Sequence, residues 1–411
     1  MSELLPRLRR DLDVMRSPLP DAPGVLLRDP MGYTETMLVI APPWDRLLMF
    51  LDGFHTELDA RAALTRLQGG RLAASEDVRE FVDTLEKAGF LETERLATLK
   101  RRRQEAFRSS LVRVPSHAGT AYPAERAELE TFFDAFLGDG IPDASGRTPR
   151  AIAAPHVAPD GGRASYGAAY QLDGARDGNE LDIIVLGTSH YGEPEHIGVT
   201  RKPFRSPLGE VPVAIELVER LLERGGDAVI DEDYSHVPEH SIEFQVIFLQ
   251  HRLRRPFRIV PILVGAFADS LITGKRPEAL DSNRRCFDAL SELADANPNL
   301  FWVLGVDMAH VGRRYGGSMP VRAGEGEMVE VAEKDRERLA MVCDGDAEGF
   351  FDLVSRGGDE LNWCGYSPLY AFLHAVAPVL GLEGSLRHYE QWNIDAGSVV
   401  TFGAIHFHET E

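Results

Sequence analysis

Three apolar runs beyond residue 150 lead straight into residues that carry chemistry. Ala151-Ile152-Ala153-Ala154-Pro155 is followed by His156, and Asp182 to Ser189 is followed by His190. Phe301 to Val306 is followed by Asp307 and then, three residues on, by His310. Short apolar runs of this kind read as buried strands, and in open α/β sheets ligands bind beyond the carboxyl ends of the strands. Neutral imidazole is a common metal ligand whose second ring nitrogen needs a partner of its own. His156 and His190 therefore have the placement of metal ligands. Asp307 and His310 fit ligation, support of the ligands, or an acid/base pair. Spacing alone leaves scattered structural roles as the competing explanation, because a buried histidine commonly just satisfies a backbone partner.

A thiol extends the set. Cys364 lies in Asn362-Trp363-Cys364-Gly365-Tyr366-Ser367-Pro368, where Ser367 as N-cap and Pro368 as first helical residue predict a helix start. A thiol just ahead of a helix feels the positive end of its dipole, which favours thiolate, a nucleophile and a soft metal ligand. Cys286 and Cys343 sit in helical patterns and read as structural. In Pro238-Glu239-His240-Ser241-Ile242-Glu243-Phe244, Ser241 is expected to cap a helix running through Phe248 and Leu249. His240 then stands at its mouth, fit for proton transfer or for capping, while Glu243 supports the helix end.

The elements that must position these residues alternate apolar runs with helical segments, which predicts an α/β domain with a central, mostly parallel sheet flanked by helices. Strands are expected at Ala151–Ala154, Ile183–Leu186, Ile259–Val264, Phe301–Gly305 and Val399–Ala404. Ahead of it, residues 20–95 read as a small winged-helix-like α+β domain. Strands at Val25–Leu27 and Thr36–Ile40 are followed by helices at Trp44–Leu51, Leu58–Leu67 and Ser75–Ala88, the last capped by Ser75, with Phe90-Leu91 as a closing strand. This order looks like that of peptide-binding domains related to the PQQ chaperone family, so a peptide or protein partner is expected there. Residues 96–111 form a charged helical linker, and the α/β domain runs from 112 to 411.

A net charge of -21 over 411 residues argues against nucleic acid, whose phosphates want a basic stripe. No run approaches the length of a membrane span, and the first two dozen residues lack the apolar core of a secretory signal. Three cysteines are too few and too odd in number for a disulfide framework. Together these lead to the expectation of a cytoplasmic protein.

In order along the chain, Ser116-His117-Ala118-Gly119-Thr120-Ala121-Tyr122-Pro123, Ala154-Pro155-His156, Gly187-Thr188-Ser189-His190 and Ser206-Pro207-Leu208-Gly209-Glu210-Val211-Pro212-Val213 resemble the motifs of the Memo family. Glu239 to Phe244, Val260 to Gly265, Asp307-Met308-Ala309-His310 and Cys364-Gly365 continue the series, which spans roughly 112 to 408. The resemblance implies a fold similar to the class III extradiol dioxygenases. It also implies a metal site with His156, His190 and Cys364 as ligands and His240, Asp307 and His310 around it. Many microbial members belong to the AmmeMemoRadiSam system as its protein B, which implies a radical-SAM protein as partner. Two positions depart from the pattern. Ala121 stands where animal members carry tryptophan, so their proposed phosphopeptide binding does not transfer. Val157-Ala158-Pro159 replaces the usual Ala-Gly-Tyr.

Three functions follow as expectations. One is metal-dependent redox or dioxygenase-like chemistry on a small molecule, using iron or copper, with zinc as a further candidate because thiolate is a soft ligand. The second is a metal-free enzyme with Cys364 as nucleophile, His310 as base and Asp307 as orienter. The third is a non-catalytic metal-binding or partner-binding module.

Overall fold

A computed structural model describes residues 4–17, 19, 21–137, 147–172 and 178–410. Residues 1–3, 18 and 20 of the stretch read for a secretory signal lie outside that set, as do 138–146, 173–177 and 411 of the α/β region. The chain divides into two compact units, Met1–Ser109 and Ser110–Glu411. Among the described residues no helix is long and apolar enough to cross a membrane.

The first unit opens with an antiparallel sheet of β1 (Asp13–Arg16), β2 (Val25–Arg28) and β3 (Met37–Ile40), in that order. A 3-10 turn at Trp44–Phe50 leads to helices α1 (Glu57–Leu67), α2 (Ser75–Lys87) and α3 (Glu94–Ser109). Thr56 and Asp59 form a reciprocal capping box at α1. At α2, Ser75 is the first helical residue and not the cap; the Asp77 carboxylate accepts from the Ala74 N–H instead. Leu27, Leu64, Val78, Leu85 and Phe90 meet in the core of this unit. The closing strand expected at Phe90-Leu91 is reduced to one bridge between Leu8 and Leu91. Strand β1 is largely exposed, which is why no apolar run announces it.

The second unit is built on a sheet whose middle is parallel. Strands β4 (Ala151–Ala154), β11 (Phe301–Gly305), β5 (Leu181–Thr188) and β10 (Phe257–Val264) lie side by side in that order. All four residues of β4 and all five of β11 are buried, as a sheet covered on both faces requires. Beyond β10 come β6 (Ile197–Val199), antiparallel to it, and β9 (Val229–Ile230). A separate hairpin pairs β7 (Phe204–Ser206) with β8 (Gly209–Val211). On the β4 side, β14 (Ser398–Glu409) runs antiparallel and also pairs with β12 (His310–Gly312) and β13 (Leu382–Asp395). The sheet is therefore mixed, which corrects the expectation of a mostly parallel one. Strand β13 is mostly half-buried, and its sequence has no apolar run, so the long hairpin that turns that side antiparallel was not legible.

One buried carboxylate ties the start of this unit to its interior. Glu243, the first residue of the helix Glu243–Arg252, accepts from the Arg113 guanidinium, the Ser116 and His117 N–H groups (3.0 Å each) and the Tyr122 hydroxyl (2.6 Å). Arg113 also donates to the carbonyls of His236 (2.9 Å) and Glu239 (2.8 Å). Glu243 thus does more than support a helix end: it joins residues 113–122 to 236–243. Burial would raise its pKa, but Arg113, His117, the Tyr122 hydroxyl and the Ser116 N–H together outweigh burial and hold it at about 2.

Removing one partner of such a buried pair costs about 3–5 kcal/mol, so Glu243→Ala is expected to lose that much in urea unfolding. Because the folded pKa of about 2 lies below the ordinary 4.5, the carboxylate stabilises fully above that ordinary value. Its contribution fades as the pH falls towards the folded one. Acid titration of stability should show this decline in the parent chain, and Glu243→Gln should flatten it.

Candidate metal centre

Strands β4, β11 and β5 are parallel neighbours in register, with Gly305 opposite both Ala154 and Gly187. Their carboxyl ends therefore open side by side, and His156, Asp307 and His190 emerge there. The Nδ1–H of His156 donates to the Gly305 carbonyl (2.9 Å), and its backbone N–H donates to Asp307 (2.9 Å). A carbonyl can only accept, so Nδ1 carries the hydrogen and Nε2 is the nitrogen left to face the site. Gln245 braces the same turn by donating to the Pro155 carbonyl (2.8 Å).

His190 is held by Glu239, which sequence reasoning overlooked. The buried Glu239 carboxylate accepts the His190 backbone N–H (2.9 Å) and its Nδ1–H (3.0 Å). It also accepts the N–H groups of His240 (2.9 Å) and Ser241 (3.1 Å), and the His240 Nδ1 lies 3.3 Å away. Ser241 is therefore not the helix cap expected; its hydroxyl donates to the Thr188 carbonyl (2.8 Å) and the helix begins two residues later. Two glycines let this turn rest on the sheet. A Cβ on Gly305 would lie 2.2 Å from the Ser241 carbonyl oxygen, and one on Gly187 would lie 2.5 Å from its hydroxyl.

Cys364 arrives from the other side. Its N–H donates to the Met308 carbonyl (3.3 Å), while its own carbonyl accepts from Thr188 (3.2 Å). Gly365 is the N-cap of the helix Tyr366–Ala375, two residues earlier than Ser367 was expected to cap it. Pro368 is its third residue, still in the first turn where a missing N–H costs nothing. A Cβ on Gly365 would meet the Asp307 carbonyl oxygen at 2.4 Å, so glycine is what allows the thiol this close.

The result is one cluster. The His156, His190 and His240 ring centroids lie 4.9 to 5.2 Å apart, and each ring offers a ligand atom within 4.8 Å of the others. The Cys364 sulfur is 3.1 Å from the His156 Nε2 and also bonds His190. His156 is closed off, with 2% of its side chain exposed, whereas His190 and His240 keep 27% and 25%. The cluster therefore has a buried floor and an open mouth. The donor set fits a transition-metal ion: the Nδ1 atoms are occupied by a carbonyl or a carboxylate, so Nε2 of His156 and His190 converge beside a thiol, where an ion would displace any proton they carry.

Electrostatics separates the groups. Burial opposes the charged form of His190, yet Glu239 and Cys364 together outweigh it and raise the ring well above the ordinary histidine range. Burial raises the Cys364 thiol, but His156 and His190 more than offset this and bring it below its usual value. His240 is pushed far down, first by burial and then by its charged neighbours against the pull of Glu239. Asp307 is pushed up to about 6 by burial. The side chains against the thiol are His156 and His190; His310, expected as its base, instead places Nδ1 2.9 Å from the Met308 carbonyl and its ring against Tyr315. Cys286 and Cys343 move the opposite way, raised by burial to about 12 and about 11.

The family model described as "Memo-like protein" matches residues 113–406. The chain belongs to the Memo family. A MEMO1 family protein of Aquifex aeolicus is 26% identical over 374 residues, covering 90% of this chain and 91% of its own length. One from Thermococcus kodakarensis is 31% identical over 290 residues, 68% of this chain and 92% of the relative. One from Aeropyrum pernix is 32% identical over 279 residues, 64% and 87%. The Aquifex alignment is longer than the whole second unit, so the likeness to that Memo relative extends into the first.

What sequence reading missed in this Memo chain are the supports: Glu239, Gly187, Gly305 and Gly365. A signal was present, since Leu-Gly recurs at the ends of two strands, at Leu186-Gly187 and Leu304-Gly305. Gly305→Ala drives a methyl into backbone and is expected to destabilise by about 1–3 kcal/mol. Gly167 is helical, and a Cβ added there would meet nothing within 4 Å. It serves as control: Gly167→Ala should be neutral or stabilising by about 0.5–1 kcal/mol. Paired urea melts check both.

Proposed function

We propose that this Memo-family protein is a metal-dependent redox protein. One iron or copper ion is held by His156, His190 and Cys364, and His240, Asp307 and His310 handle protons for a small-molecule substrate. The observation that carries this reading is the pair of locked rings, with Nδ1 of His156 on Gly305 and Nδ1 of His190 on Glu239, turning both Nε2 atoms towards the Cys364 thiol. Two histidines and a thiolate are softer than the two-histidine, one-carboxylate set of non-haem iron oxygenases, which favours copper or thiolate-bound iron and admits zinc. Kinship with the class III extradiol dioxygenase fold is part of the proposal, supported by a site at the carboxyl ends of parallel strands.

When bound, such an ion would supply electron exchange and Lewis acidity. The rest falls to the chain. Glu239 fixes the His190 ring and the His240 turn, and the Gly305 carbonyl fixes His156. His240, kept neutral by burial, can accept a proton at the open mouth. Asp307, at about 6, can give or take one near neutral pH. The closed floor around His156 excludes water on the far side.

A metal-free cysteine enzyme is the second reading, favoured by the 3.1 Å contact between Cys364 and His156. The first unit is proposed as a winged-helix-like partner-binding unit, supported by its strands-then-helices order and by exposed Met37, Met49, Phe54 and Leu58. A radical-SAM protein is the partner that the family resemblance suggests, and a non-catalytic module would use only this unit and the bound ion.

Protein purified without oxygen should carry about one iron or copper ion per chain, with a sulfur scatterer at about 2.3 Å in its metal-edge X-ray absorption spectrum. Glu239→Gln should weaken metal binding by about 10–100-fold. Uptake of neither iron nor copper would sink the proposal. Bound metal without sulfur would make His240 the third ligand. Rapid, selective iodoacetamide labelling of Cys364 in metal-free protein, with turnover intact, would favour the cysteine enzyme.

A further inference from the structure

The segment that carries Cys364 is tied to a buried carboxylate outside the cluster. Asp335, midway along the helix Glu327–Cys343, is fully buried. Its Oδ1 accepts the indole N–H of Trp363 at 2.7 Å, and Trp363 is the residue before Cys364. Its Oδ2 accepts the Tyr389 hydroxyl at 2.9 Å, and the Thr401 hydroxyl bonds the same carboxylate. The Thr401 oxygen accepts the Ala309 N–H (2.8 Å), so its single hydrogen is left for Asp335.

Both routes from Asp335 lead to the thiol. Thr401 also holds its neighbours through its backbone, accepting from Met308 (2.8 Å) and donating to Ala309 (2.9 Å). The Met308 carbonyl accepts the Cys364 N–H, and the Asp307 carbonyl accepts that of Gly365 (2.8 Å). On the indole route, the chain reaches Trp363 through a turn that does not hold itself. Asp359 and Asn362 have φ of 60° and 48°, a left-handed conformation that residues with a Cβ keep only where their surroundings impose it. The Asp359 carboxylate accepts the Trp363 N–H (2.9 Å), and the buried Trp363 ring stands edge-on to Phe350.

We infer that Asp335 is the positioning residue of Cys364: through the Trp363 indole it sets where the thiol stands, as Glu239 sets the imidazoles of His190 and His240. A phenyl ring would fill this space against Phe350 without requiring a carboxylate to leave water, which is costly. What the polar pair adds is direction. The indole N–H fixes the rotation of the ring, and with it the backbone that runs into Cys364. The inference rests on the metal-site reading for its purpose, because a sulfur ligand must stand at bonding distance from an ion whose imidazole ligands are already fixed.

Three variants of the full chain test it. Trp363→Phe keeps a ring and drops the indole donor, while Asp335→Asn keeps an acceptor for that donor. Tyr389→Phe removes a bond to the same carboxylate from β13, on the side away from Cys364 in the chain. Amide hydrogen exchange is read on metal-free protein, and sulfur scattering by X-ray absorption after loading with copper(I) or ferrous iron. Trp363→Phe should speed exchange of the Cys364 and Gly365 amides at least about tenfold and abolish the sulfur signal. The amides of His190, His240 and Ser241 should keep their parental rates. Asp335→Asn and Tyr389→Phe should match the parent on both readouts. If Trp363→Phe does not fold, the double variant Asp335→Leu, Trp363→Phe removes donor and carboxylate together and should show the same changes. Unaltered exchange at Cys364 and Gly365 would overturn the inference, as would sulfur retained at the metal or an equal effect of Tyr389→Phe. If no chain takes up metal while exchange divides as expected, the metal reading fails and the positioning of Cys364 by Asp335 stands.

Discussion

A carboxylate taken out of water must find charge and donors inside, and the functional end of the second unit is arranged around one that does. Glu239 is 1% exposed. It satisfies itself on the backbone N–H groups of His190, His240 and Ser241 and on the His190 ring. Each of these bonds is also a positional constraint. The end of β5 and the turn before the next helix are locked to each other, and two imidazoles are fixed with them. An unpaired carboxylate at this depth would be costly, so the arrangement is cooperative: the site geometry and the satisfaction of Glu239 stand or fall together.

The layer beneath depends on what is absent. Gly187, Gly305 and Gly365 leave room for backbone to meet backbone, letting the Ser241 turn and the Cys364 segment settle onto the strand ends from opposite sides. The layer beyond depends on Glu243, whose buried pairing with Arg113 draws residues 113–122 over the same helix start. His117 is brought in this way to 5.5 Å from the His240 ring. Polar networks of this kind specify a unique arrangement only when fully satisfied. Here Glu239 and Glu243 both meet that condition.

The two units differ in their physics. The second has a deep core and one polar site with a closed floor, suited to chemistry away from water. The first has a smaller core, many exposed apolar side chains and a free strand edge, features that suit contact with another chain.

How much of this was legible follows from which interactions are local. The buried strands β4, β5, β10 and β11 could be read directly, because continuous apolar runs bounded by turn residues arise from burial on both faces. Their order along the chain also put His156, His190 and Asp307 at strand ends. The helix starts were misplaced by one or two residues, at Ser75, Ser241 and Ser367, because a serine beside an apolar run has the signature of a cap whether or not its hydroxyl is used elsewhere. Ser241 gives its hydroxyl to Thr188, a partner 53 residues away. The half-buried β13 and exposed β1 had no run to read.

By itself, the sequence determined the family, the parallel centre of the sheet, and the residue types available at its carboxyl edge. These depend on periodicity and on motif order, which are properties of neighbours along the chain. Only the tertiary structure decided that His240 joins His156 and His190, and that His156 rather than His310 meets Cys364. It also assigned the holding of the turn to Glu239. Those outcomes turn on contacts between residues 49 and 208 positions apart, where register, close approach at glycine and the need to satisfy buried charge act together.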